Sequence, residues 1–162
     1  MLVAYNEMSA DSRVWVYQST RHLSDIECNE IMAAGADFVT QWTAHNNELK
    51  ACFTIKYNRF LILLVDESHN DASGCSIDKS VRFVQQTEQK YNIELMNRMN
   101  FAYKQDAEVL SCNKLTFEEL YKNGKIQDDT LVFNNLIATK QELEQNWELP
   151  LRNSWHKQII NA

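Results

Sequence analysis

Strict alternation of apolar and polar positions marks the clearest element of the chain. Over 50–57, Ala51, Phe53, Ile55 and Tyr57 share one face, while Lys50, Cys52, Thr54 and Lys56 share the other. This period of two predicts a strand with one buried face, at the edge of a sheet. Asn58 supplies a tight turn, because Asn tolerates the left-handed region better than most residues. Phe60 to Val65 is then six consecutive apolar residues, which predicts a central strand covered on both faces. The β-branched and aromatic run 13–18 predicts an earlier strand.

The period lengthens between these strands. Ile31, Ala34, Phe38 and Trp42 recur at helical spacing, and Ser24 with Glu27 forms a capping-box pattern, so 25–42 is predicted as an amphipathic helix. Gly35 inside it lowers helix propensity. A second helix is predicted from near Ser76 to about Tyr91, with Ile77, Val81, Val84 and Tyr91 on one face. Met99, Phe101 and Tyr103 alternate within a strand over 98–104, and 108–112 hairpins back after Gln105-Asp106.

The order is β-α-β-β-α-β. It predicts an α+β protein with a ferredoxin-like antiparallel sheet, both helices on one face and strands 13–18 and 60–65 in the middle. The chain is read as a single domain over 1–162, with a core of about 12–112 and an elaborated extension of about 113–162 packed on it. In that extension Thr116 with Glu119 caps a short helix ended by Gly124. Leu131-Val132-Phe133 forms a short strand, Thr139 with Glu142 caps a helix through Trp147, and Pro150 breaks the chain.

Composition narrows the function classes. The 162 residues are 44% apolar, enough for one domain with a real core. Lys and Arg total 16 against 22 Asp and Glu, and this charge of -6 argues against a nucleic-acid grip. No run approaches the ~20 apolar residues of a membrane span, and residues 1–10 lack the basic-then-apolar layout of a signal peptide. Cys28, Cys52, Cys75 and Cys112 are spaced by 24, 23 and 37 residues with no C-x-x-C pair. They read as reduced thiols of a cytoplasmic protein, mostly small core fillers.

Five strings carry a resemblance: Arg13-Val14-Trp15-Val16-Tyr17, Tyr57-Asn58-Arg59-Phe60, Ser73-Gly74-Cys75-Ser76-Ile77-Asp78, Val132-Phe133-Asn134-Asn135 and Ser154-Trp155-His156. In these the chain resembles an uncharacterised family, mainly from Bacteroidetes, whose members have about this length and often bear the label "ABC transporter ATPase". A nucleotide-cradling loop needs G-x-x-x-x-G-K-[ST], so that backbone amides and a Lys can neutralise phosphates. No such string occurs in the 162 residues, which hold only 3 Gly. The resemblance therefore implies no reaction and no site.

The densest candidate chemistry lies in the polar stretch from Asp66 to Ser76. It leaves a buried strand and enters a helix, whose free N–H groups beside Ser73, Gly74 and Ser76 would favour an anion. Cys75 there is a candidate nucleophile or redox thiol, with His69 as its base. The competing reading is a connection whose Ser and Asp residues merely cap the helix. His69, Cys75, His156 and a carboxylate have ligand chemistry suited to zinc, yet no spacing links them, so neither metal nor cofactor is expected.

Trp15 and Tyr17 could imitate the stacking platforms of RNA-recognition domains, but strand 60–65 lacks their basic-Gly-aromatic pattern. What fits best is a binding or interaction module. The alternative is a small enzyme or redox protein using loop 66–78. If the helices cover one sheet face, the other must be covered by the C-terminal third, by a ligand, or by a second copy in a homodimer through that face or an edge strand.

Overall fold

The computed structural model describes residues 1–160. It is a mixed α+β protein in which strands β1 (Arg13–Gln18), β4 (Lys50–Lys56) and β5 (Phe60–Asp66) form an antiparallel sheet in the order β1-β5-β4. Helix α1 (Asp25–Gln41) precedes a small hairpin of β2 (Thr43–Ala44) and β3 (Asn47–Glu48), and α2 (Gly74–Tyr91) follows β5.

Local chemistry explains these elements. The Ser24 hydroxyl accepts the Glu27 amide at 3.1 Å, and the Glu27 carboxylate accepts the Ser24 amide at 2.9 Å, so both free N–H groups are satisfied reciprocally. The β4–β5 turn runs through Tyr57 and Asn58, with φ of 57° and 50°. Across them the Arg59 amide donates to the Lys56 carbonyl at 3.1 Å. Tyr57 thus belongs to the turn and not to the strand face assigned to it by alternation. Positive φ at both central positions matches the twist of the flanking strands.

Both helices cover one face of the sheet. Ile31 and Val39 of α1 and Val84 of α2 pack there with Phe53, Leu61 and Leu63. On the opposite face, Val14, Cys52, Phe60, Ile62 and Leu64 pack against residues from beyond position 100. Phe133, Ile137, Leu143 and Trp147 supply that cover. Among the described residues, the C-terminal third is thus what covers this face of the sheet.

The second half of the chain builds its own sheet, in the order β7-β6-β8-β9. Its strands are β6 (Asn100–Gln105), β7 (Glu108–Asn113), β8 (Leu131–Phe133) and β9 (Glu148–Pro150). Helices α3 (Lys114–Lys122) and α4 (Lys140–Asn146) lie between them, and α5 (His156–Ile159) follows. Helix α3 starts ahead of Thr116, because the Asn113 side chain caps it by accepting the Thr116 amide at 2.9 Å.

The strand order departs from the ferredoxin-like expectation in one respect. Strand β6 pairs with β7 and β8 and not with β1, so β5 alone is central in the first sheet and β1 is an outer strand. The cause is where β6 buries its large side chains. Phe101 and Tyr103 enter a separate core with Phe117, Val132 and Leu151, while Ala102 on the other face packs on the first sheet. Strand β6 thus belongs to a layer that stacks on the first sheet.

Candidate ligand-binding cleft

Loop 66–76 folds upon itself. The Asp66 carboxylate accepts the Ser68 amide at 3.0 Å, and Glu67 accepts the Ala72 amide at 2.8 Å. The Ser68 hydrogen bonds hold the Asp66 carboxyl below its usual range. Ser73 is the N-cap of α2, its hydroxyl accepting the Ser76 amide at 3.1 Å, and the buried Ser76 hydroxyl donates to the Ser73 carbonyl at 2.8 Å. Capping therefore uses one of the amides that an anion would need.

Gly74 and Cys75 are exposed in the first turn of α2, and His69 is exposed in the loop. Among the described residues no hydrogen bond joins His69 to Cys75. All four cysteines are free thiols: Cys52 is buried, Cys28 and Cys112 half-buried, and Cys75 exposed. Among the described residues no group of three or more His, Cys, Asp or Glu is arranged to hold a metal ion. No described helix is long and apolar enough to cross a membrane.

A larger feature lies elsewhere, along β1. Strand β6 leaves the outer edge of β1 unpaired beyond its first residues, and a cleft of about 740 Å³ opens there. Trp15, Val16 and Tyr17 form its floor, and Ile77 and Val81 of α2 form one wall. Met96, Arg98 and Met99 contribute a second wall, and Leu136 and Ile137 a third. Trp155 and His156 close the far end. The volume falls within the range of small-molecule sites, roughly 300–1,000 Å³.

Hydrogen bonds hold two of these walls and the far end in place. The loop before β6 is fixed by the Leu95 amide on Glu88 at 2.7 Å and the Met99 amide on the Asn97 side chain at 3.0 Å. On the opposite side Asn135 bridges two partners: its amide nitrogen donates to Gln18 Oε1 at 2.9 Å, and its oxygen accepts Trp147 Nε1 at 2.9 Å. Asn134 Oδ1 accepts Trp155 Nε1 at 3.1 Å. Gln18 is itself buried and donates from Nε2 to the Asn100 carbonyl at 2.7 Å. These side-chain amides satisfy two indole N–H groups that would otherwise cost free energy on burial.

His156 is only 1% exposed. Its ring stacks on Trp155 with centroids 3.8 Å apart, and Nδ1 lies 2.6 Å from the Ser154 hydroxyl. Desolvation pushes the imidazole pKa down to about 4, so the ring is neutral at pH 7. Tyr17 is pulled two ways. Burial raises its phenol, whereas a hydrogen bond with Ser80 and the charge of Arg98 lower it, and the net direction is upward.

Two other features lie outside this cleft. The Arg59 guanidinium is buried at the junction of the layers, where Nη1 donates to the Ser19 carbonyl at 3.1 Å and to the Ser111 hydroxyl at 2.8 Å. Its Nε is buried with no hydrogen-bond partner among the described residues, and desolvation lowers the pKa of the guanidinium. A more open groove of about 450 Å³ runs between α1 and α2, over the stacked rings of Phe38 and Phe83.

Sequence reasoning named Trp15, Tyr17 and His156 for other roles and missed the cleft that they share. No family model, curated protein or solved structure matches the chain significantly.

Proposed function

We propose that the protein is a binding module and that the cleft along β1 is its binding site. One observation carries this reading: a largely apolar cavity of about 740 Å³ sits on the unpaired edge of β1, with ordered side-chain amides at its rim. Pre-formed apolar clefts with a few fixed polar groups are the usual architecture of small-molecule sites. The segment from β1 through α2 we read as a ferredoxin-like unit whose last strand has been redirected, leaving the cleft where that strand would pair. Four unpaired thiols suit a reducing compartment such as the cytoplasm.

The test is binding of 1-anilinonaphthalene-8-sulfonate to the folded protein, followed by fluorescence. The wild type should enhance the emission. Val81→Trp and Ile77→Trp, which fill the cleft from α2, should each abolish the enhancement while circular dichroism stays native. An enhancement that survives in both folded variants would overturn the cleft as the binding site.

A further inference from the structure

We infer that the cleft takes a small amphipathic organic anion, its apolar body against β1 and its charged group at Arg98. The inference rests on the cleft being the binding site. Its first support is charge. Among the residues lining the cleft, Arg98 alone is formally charged at neutral pH, in a chain whose net charge is -6. Arg98 is exposed at the mouth, and among the described residues it makes no hydrogen bond or ion pair. A guanidinium beside an apolar cavity, with its N–H groups not engaged by the protein, recognises a carboxylate, sulfonate or phosphate through charge-assisted hydrogen bonds.

The second support is the shape of the open edge, which decides between a small molecule and an extended peptide. The Val14 amide donates to the Ala138 carbonyl at 2.9 Å, on the side of β1 away from β5. Alternation along an antiparallel strand then turns the Val16 and Gln18 backbone groups to the same outer edge. At one end, the chain itself occupies this edge: Lys140 donates to the Ser12 carbonyl at 2.9 Å, beside the Ala138 contact. At the other end, the Gln18 side chain donates to the Asn100 carbonyl and accepts from Asn135, which holds the start of β6 and residue 135 against the end of the strand.

Between these two closures, Val14 to Gln18 spans roughly 14 Å at the rise of a strand. A peptide strand of common length, about five or six residues, runs ~17–20 Å and continues past both ends of its partner. The window is too short for a through-running peptide. It suffices for one molecule that meets the Val16 amide and carbonyl, lies along Trp15 and Tyr17, and ends at Arg98.

Calorimetric titration with octanoate and with 1-octanol distinguishes the parts of the proposal. Octanoate should bind about tenfold more tightly than octanol, the size expected for one charge-assisted contact discounted for solvent. Arg98→Gln should abolish that difference by weakening octanoate alone. Equal binding of the two probes, or a difference that survives in Arg98→Gln, would overturn the anion assignment. So would tighter binding of a capped hexapeptide of alternating Val and Thr, which would mark the edge as a strand-docking site. If neither octyl probe binds, and the dye's enhancement remains sensitive to Val81→Trp but is unchanged in Arg98→Gln, the anion inference falls and the cleft reading stands. Loss of the dye's sensitivity removes both.

Discussion

The ring of Phe53 fills the space into which residue 35 would extend a side chain. A Cβ built on Gly35 would stand 2.2 Å from Phe53 Cδ1, so the glycine is what lets α1 lie directly on β4. Helix propensity alone favours Ala there by about 1 kcal/mol. The clash outweighs it.

Gly35→Ala should therefore destabilise the fold by about 1–3 kcal/mol, as overpacked cores do. Phe53→Leu in the Gly35→Ala background should recover part of the loss. Urea midpoints of the three proteins check this, and a single variant as stable as wild type would show that α1 can shift at no cost.

His156 gives the stability a pH dependence of known sign. Its folded pKa of about 4 lies below the ordinary 6.5, so the unfolded chain binds the extra proton. The contribution is fully present above about pH 6.5 and is lost as pH falls towards 4. A shift of this size corresponds to on the order of 3 kcal/mol. His156→Phe should lose less stability than wild type between pH 7 and 4.5. A His156 ring titrating near 6.5 by NMR would contradict the burial account.

Thiol labelling under native conditions should follow exposure. Cys75 should react first and Cys52 only on unfolding, since Cys52 is 5% exposed and burial raises its thiol. Cys112 should also lag, because burial pushes it up to about 11 and little thiolate forms at pH 8. Equal rates at Cys52 and Cys75 would mean that the two layers open readily. Labelling of Cys75 far faster than a free thiol at neutral pH would instead favour the enzymatic alternative for loop 66–78.

Removing residues 130–162 strips Phe133, Ile137, Leu143 and Trp147 from the face formed by Phe60, Ile62 and Leu64. Burial of those side chains is worth several kcal/mol at about 25 cal/mol per Å². The truncated chain should aggregate and bind hydrophobic dye strongly. If it stays monomeric with an unchanged Tm, the cover contributes little.

Elements with a strong local signature were legible in the sequence. Alternation marked β4, the apolar run marked β5, and side-chain caps marked α1 and α4 at Ser24 and Thr139. The β2–β3 hairpin was not, because each strand has two residues and its turn rests on positive φ at His45 and Asn46, with no apolar period around it. The partner of β6 was equally hidden. Phe101 and Tyr103 alternate in the same way whichever sheet they join, and only the positions of Phe117, Val132 and Leu151 decide.

The cleft was hidden for a similar reason. Its lining comes from β1, α2, the loop before β6, and segments beyond position 130, each of which reads locally as ordinary core. Trp15, Ile77, Asn135 and Trp155 reach it from four segments far apart in the chain. The polar loop 66–76 attracted attention because its residue types suggest chemistry. In the fold, those side chains largely cap and brace their own backbone.

The two-layer arrangement also has a consequence for the order in which the chain is made. Strand β5 ends at Asp66, whereas Trp147, which covers its far face, follows 81 residues later. At ribosomal rates of about 5–20 residues per second, Phe60, Ile62 and Leu64 wait roughly 4–16 s for their cover. As that interval opens, only Met8, Val3 and Tyr5, already made, can shield these side chains, so the growing chain keeps most of a greasy surface waiting for its lid.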